Sequence, residues 1–128
     1  LNITGASIGR CAVADVRVVG GNVNQHVCIV RTNETLDPHF LKSYLLSELG
    51  QNQIDSFQAG GNRQGLNFEQ IKSFRVPLPS AREQLRISGV LRAADREIEQ
   101  LARTRKRLQC QKKGLMQQLI TGKVRVKT

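Results

Sequence analysis

Between residues 80 and 121 one spacing rule governs the chain. Ile87, Leu91, Ala94, Ile98, Leu101, Arg105, Leu108, Lys112, Leu115 and Leu119 follow one another at alternating steps of four and three. That is a heptad repeat. Leu91, Ile98, Arg105, Lys112 and Leu119 take one seam position, and Ile87, Ala94, Leu101, Leu108 and Leu115 take the other. No proline interrupts it, and Gly89 and Gly114 each cost about 1 kcal/mol against alanine, too little to break the pattern. Pro77 and Pro79 precede the start, where Ser80 and Glu83 stand at a capping-box spacing. Thr121 and Gly122 mark the stop, with glycine just beyond the last turn. At ~1.5 Å per residue such a helix runs roughly 60 Å. The 79 residues before it cannot cover a seam of that length, so the helix requires a partner helix.

Charge follows the same division. Residues 80–128 hold 13 Lys+Arg against 4 Asp+Glu, a net of +9, whereas residues 1–79 hold 7 against 6. Almost all of the net +10 therefore rides on the helix and its tail. A field of this size favours a polyanion or an acidic protein surface, and it exceeds what solubility needs. Residues 103–107 (RTRKR) form a continuous basic cluster around Arg105. Arg105 and Lys112 sit in the seam itself, where a polar residue sacrifices stability but fixes register and partner.

The first 79 residues read as a small α+β body. Short apolar runs at 11–13 and 16–19, bounded by Gly5, Gly9 and Gly20-Gly21, predict strands. Gly20-Gly21-Asn22 predicts a hairpin turn, and residues 23–31 alternate as a further strand. Asp37 followed by Pro38 predicts a helix start. Phe40, Leu41, Tyr44, Leu45 and Leu49 then give one apolar face, with Gly50 as the expected stop. Residues 51–58 fit neither period cleanly, and Ile54 and Phe57 are their candidate anchors. Asn67 is expected to cap a short turn carrying Phe68 and Ile71, and residues 74–76 to form a last strand before the prolines. The chain opens on Leu1 within a predicted strand, which suggests a piece of a larger protein.

Catalytic chemistry has little to stand on. His26 and Cys28 share a strand face, but two ligands do not make a zinc site, and His39 has no carboxylate pair beside it. No metal and no cofactor is expected. Three cysteines without a CxxC pair predict reduced thiols. Neither the 5–9 nor the 60–65 glycine stretch carries the lysine–hydroxyl ending of a nucleotide loop. The second stretch, GGNRQG, suits nucleic acid instead. Arg63 matches guanine or phosphate, Asn62 and Gln64 match adenine edges, and the glycines allow close approach. No apolar run is long enough for a bilayer, and the expected protein is soluble and cytoplasmic.

Three stretches together resemble the specificity subunit of type I restriction–modification enzymes. They are residues 65–79 (GLNFEQIKSFRVPLP), residues 83–87 (EQLRI) with Leu91 and 95–98 (DREI), and residues 113–126 (KGLMQQLITGKVRV). The ending GLMQQLITGK is the most specific, and Thr4-Gly5, Ile8 to Arg10 and residues 22–25 (NVNQ) add to the likeness. The resemblance implies a non-catalytic subunit in which two recognition domains each read half of a bipartite DNA site. Two long antiparallel helices space those domains. It implies that residues 1–79 are the distal part of one recognition domain and residues 80–128 its coiled-coil spacer helix with a basic tail. It also implies docking to methyltransferase subunits and, through the complex, to a restriction subunit.

On this reading Asn62, Arg63 and Gln64 contact double-stranded DNA. Arg103, Arg105, Lys106, Arg107, Lys112 and Lys113 contact phosphate or a partner subunit. Ile87, Leu91, Ala94, Ile98, Leu101, Leu108, Leu115 and Leu119 carry helix pairing, and a second copy can complete the seam as an antiparallel homodimer. A non-enzymatic coiled-coil oligomerisation adaptor is the rival reading. A membrane-surface helix is disfavoured by the narrow seam and the scarcity of aromatics.

Overall fold

A computed structural model of the protein describes residues 1–58 and 65–126. Among the described residues four α-helices carry the fold: α1 (Pro38–Leu46), α2 (Glu48–Ser56), α3 (Phe68–Lys72) and α4 (Ala81–Ile120). Two 3₁₀ turns, Gly5–Ser7 and Val16–Val18, precede them. The chain divides into two compact units, Leu1–Gly89 and Val90–Thr128.

The first unit is built on the α1–α2 pair. Asp37 caps α1 by accepting from the Phe40 N–H at 2.7 Å, and Pro38 sets the first turn, as expected. The expected stop at Gly50 is not where α1 ends. Ser47 ends it, its N–H donating to the Tyr44 carbonyl at 3.0 Å, and the same residue caps α2. Gly50 is buried inside α2 because the two helices cross there. A methyl group on it would strike the Tyr44 carbonyl oxygen and come within 2.7 Å of Leu45 Cα. Ile54 anchors α2 with no exposed surface, and Phe40, Leu45 and Leu66 complete the buried apolar set among the described residues. The Phe57 and Phe74 rings lie 6.0 Å apart and close the far end of α2.

The expected strands are largely replaced. Among the described residues β pairing is confined to two isolated antiparallel bridges, Asn2↔Val27 and Thr4↔Gly65. The fold is mostly helical, and little of the β half of the α+β expectation remains. Two physical causes stand out. First, the run predicted at 16–19 is folded by turns, and residues 11–13 pair with no strand among the described residues. Val19 (φ −61°, ψ 131°) and Gly20 (φ 79°) form a type II turn closed by Gly21 N–H to the Val18 carbonyl at 3.0 Å. Ile8 and Gly9 (φ 82°) repeat the geometry at residues 7–10. The Gly20 turn is real, but it joins no hairpin among the described residues. β propensity needs a packed neighbour, and Val16 and Val19 are 85% and 81% exposed.

Second, glutamine amides take hydrogen bonds that neighbouring strands would otherwise supply. Gln53 Oε1 accepts from Arg75 N–H at 2.8 Å and its Nε2 donates to the Arg75 carbonyl at 3.0 Å, so both backbone groups of Arg75, in the predicted strand at 74–76, are held by a side-chain amide. The Tyr44 hydroxyl donates to the same carbonyl at 2.8 Å. Gln58 grips Gly65 in the same two-point manner, at 3.0 and 3.4 Å. An amide side chain carries the donor and acceptor of a peptide group.

Gln84 is the most buried of these ties, 1% exposed. Its Oε1 accepts from Asp37 N–H at 2.8 Å, while Nε2 donates to the Thr35 and Pro79 carbonyls, both at 2.9 Å. One turn on, the Ser88 hydroxyl donates to Asp37 Oδ1 at 2.7 Å. The opening of α4 is thereby stitched to the start of α1. Ser80 Oγ accepts from Glu83 N–H at 3.3 Å at the head of α4, and Gly122 (φ 71°) ends it.

Asp37 makes this junction sensitive to acid. Partial burial pulls its carboxyl upward, but hydrogen bonds from the Ser88 hydroxyl and the Phe40 N–H, with His39 nearby, outweigh it and leave it below the usual range. A carboxylate with a lowered folded pKa contributes stability above its unfolded pKa, and that contribution is lost as pH falls through the folded value. Asp37→Asn keeps an N-cap acceptor but cannot titrate. The stability gap between parent and variant in urea titrations is therefore expected to shrink below about pH 4.

Candidate helix-pairing and nucleic-acid interface

The second unit presents the seam as an open face. Among its leucine and isoleucine seam residues exposure runs from 42% at Leu119 to 64% at Ile98. Six leucines and isoleucines (Leu91, Ile98, Leu101, Leu108, Leu115, Leu119) line one stripe, and Met116 and Ile120 widen it toward the end of the helix. Ala94 interrupts the stripe with a small side chain, and Arg105 and Lys112 interrupt it with charge. An isolated helix in water gains little from such a stripe, because apolar surface stabilises only when covered.

The cations predicted for phosphate or partner contact fall into two groups on α4. Arg103, Lys106, Arg107 and Lys113 lie off the seam, at heptad positions facing away from a pairing helix, and all four are exposed. Arg105 and Lys112 are exposed in the stripe itself. Arg103 reaches Glu99 at 3.3 Å one turn back, a pair so open to solvent that it contributes little to stability. The helix is thus polarised around its axis, with an apolar stripe interrupted by Arg105 and Lys112 on one side and four cations on the other.

Asn62, Arg63 and Gln64 lie outside the described residues. Their flanks are described and are held. Gln58 and Gly65 are tied to each other through the amide above, Gly65 bridges to Thr4, and Leu66 N–H donates to the Ile3 carbonyl at 2.8 Å. Beside this foot, Thr4 Oγ1 and His26 Nδ1 are 2.6 Å apart, and Asn24 Oδ1 accepts from His26 N–H at 3.0 Å. The sequence reading missed both Gln84 and the Thr4–His26 contact. Gln84 had a signal: it stands one heptad before Leu91, where a continuing seam would be apolar. Nothing in the sequence marked the other.

Cys11 and Cys28 line an apolar groove of about 600 Å³ in the first unit, with Val27, Pro38, Leu41 and Leu45 among its walls. Burial pushes the Cys11 thiol up, away from reactive thiolate character. Among the described residues no group of three or more His, Cys, Asp and Glu is placed to hold a metal ion. No described helix is long and apolar enough to cross a membrane.

Residues 1–109 match the model of the type I restriction modification DNA specificity domain. The chain belongs to that family. Specificity domains are the DNA-recognising, non-catalytic components of type I restriction–modification systems. Two similar proteins come from Methanocaldococcus jannaschii. The putative type I restriction enzyme MjaX specificity subunit is 28% identical over 121 residues, 93% of this chain and 28% of the relative. The type I restriction enzyme MjaVIII specificity subunit is 28% identical over 95 residues, 74% of this chain and 22% of the relative. This specificity-domain chain therefore spans about a quarter of the length of those relatives. No solved structure gives a significant match.

Proposed function

We propose that this chain supplies DNA specificity within a type I restriction–modification complex. Residues 1–79 form the distal part of a target recognition domain, and residues 80–128 form the spacer helix and its tail. The observation that carries this reading is the extent of the family match. It takes in the first unit and continues along α4 to residue 109. Family membership thus extends to the helix on which the excess positive charge sits. Asn62, Arg63 and Gln64 read bases, and Arg103, Lys106, Arg107 and Lys113 neutralise phosphates or meet an acidic partner surface. Methyltransferase subunits dock on the complex, a restriction subunit joins through it, and a second copy of the chain covers the exposed seam. The chemistry belongs to the partners.

The exposed stripe also favours a second reading, an oligomerisation adaptor whose charge is only solvation. Salt separates the two. Neutralising each phosphate lowers the slope of log K against log salt by about 0.9. Titration of random-sequence duplex DNA is expected to give a slope of about −4 if Arg103, Lys106, Arg107 and Lys113 all engage. Lys106→Ala is expected to flatten it by about one. Weak binding with no salt dependence would leave only the adaptor. Light scattering of the chain with a methyltransferase subunit, expected to show a complex of defined stoichiometry, tests the docking.

A further inference from the structure

We infer that the turn at residues 24–27 is a second base-reading element, whose Gln25 amide contacts adenine in the major groove of DNA while the His26 ring, steadied by Thr4, meets a neighbouring purine. The inference rests on the DNA-specificity reading put forward above, and it adds residues that the reading did not include. Sequence alternation predicts a strand here, but the chain turns instead. Val27 N–H donates to the Asn24 carbonyl at 3.1 Å, and Asn24 Oδ1 accepts from His26 N–H at 3.0 Å. Closed twice in this way, the turn holds Gln25 and His26 exposed at its tip.

Two residues near the start of the chain fix where this tip lies. Ile3 N–H donates to the His26 carbonyl at 2.9 Å, and the Ile3 carbonyl accepts from Leu66 N–H at 2.8 Å. Thr4 repeats the double grip, its backbone bridging Gly65 and its hydroxyl oxygen 2.6 Å from His26 Nδ1. The turn therefore stands beside Gly65, the residue that follows Gln64 in the sequence. The segments that supply these contacts, residues 1–14, 16–33 and 65–68, contain no Asp or Glu. They set no carboxylate against a phosphate backbone.

The hydrogen-bonding atoms that the fold leaves unused point to bases. Among the described glutamines of the first unit, Gln51, Gln53, Gln58, Gln70 and Gln84 each bond to backbone groups. Gln25 is the exception, exposed and with no hydrogen bond to a described residue. Its amide keeps a donor and an acceptor side by side, the pair that matches adenine N6 and N7. With His26 Nδ1 turned to Thr4, Nε2 is the ring atom left for a ligand. A Thr4 hydroxyl donating to Nδ1 puts the ring hydrogen on Nε2, a donor suited to a purine N7. The Thr4 contact also fixes the ring before DNA arrives, so less freedom is lost on binding.

Selection of the full chain against a random duplex library tests this. The parent is expected to enrich a short sequence. Gln25→Ala should relax one A·T pair of it by about five- to hundredfold, with the salt slope unchanged because no charge is lost. Gln25→Glu should move the preference at that pair to cytosine, since a carboxylate accepts from cytosine N4 and cannot offer the amide's donor to adenine N7. His26→Ala should relax a neighbouring pair, Thr4→Val should do so in part, and Thr4→Ser should restore it. The same enriched sequence from the parent and both Gln25 variants would overturn the inference and leave the DNA reading in place. A relaxed sequence accompanied by a lowered urea midpoint for Gln25→Ala would mark the side chain as structural and overturn it as well. No enrichment by the parent would overturn base reading by this chain altogether, and the salt titration would then report phosphate contact by itself.

Discussion

Gln84→Leu is expected to lower the stability of the first unit by about 3–5 kcal/mol, read as a shift of the urea midpoint at unchanged slope. The size of the effect follows from what the side chain touches rather than from its volume, which leucine nearly matches. Gln84 satisfies the Asp37 N–H and the Thr35 and Pro79 carbonyls while itself 1% exposed. Leucine would leave those three part-buried backbone groups without the partner they have, and it offers no polar atom in return. Gln84→Glu keeps the acceptor for Asp37 N–H but loses the donor to both carbonyls, and it sets a second carboxylate near Asp37. It should destabilise at least as much, because the buried carboxylate would face two carbonyl oxygens without a donor. Leu85→Ala, at a 62% exposed neighbour in the same turn, should change little and serves as the control. A midpoint for Gln84→Leu within error of the parent would mean that this network does not hold α4 to α1.

The second large effect is a reversal of sign. Glycine to alanine inside a helix ordinarily stabilises by about 1 kcal/mol. Gly114→Ala and Gly89→Ala should do so, because a methyl at either position meets nothing within 4 Å. Gly50→Ala should instead destabilise by about 2–4 kcal/mol. Its new methyl would fall on the Tyr44 carbonyl and lie 2.7 and 2.8 Å from Leu45 Cα and O, backbone atoms that cannot turn aside. Relief requires α1 and α2 to part, which loosens Leu45 and Ile54 together. Thermal unfolding of the three variants side by side checks the contrast, and a stabilised Gly50→Ala would show that the helices do not cross at this distance.

These two sites also show what the sequence made legible. Capping signals were local and correct: Asp37 with Pro38, Asn67, and Gly122 after the last turn of α4. The heptad gave a long helix because a 3.5-residue period over ten positions admits no other regular structure. Gly50 misled because a glycine can mark a helix end or a close crossing. Only the position of Tyr44 and Leu45 decides between them. The strand predictions at 23–31 and 74–76 came from alternation and β-branched residues, which report a preference and not a partner. At Arg75 the partners turned out to be side chains, the Gln53 amide and the Tyr44 hydroxyl. Long-range polar ties of this kind leave no period in the sequence. Of the candidate site, the apolar stripe and the cations around it were legible because they repeat. The contact between Thr4 and His26 was not, because its residues stand 22 positions apart.

The ties made by Gln53, Gln58 and Gln84 share a property with a consequence for how such a domain can change. Each grips the main chain of its target, and none depends on the target's side chain. Arg75 and Thr35 are therefore free to be replaced without loosening the segments that bear them, provided the replacement keeps the backbone path. A scaffold fastened in this way separates what anchors a segment from what the segment displays. Displayed residues can then drift toward new targets while the anchoring glutamines stay in place.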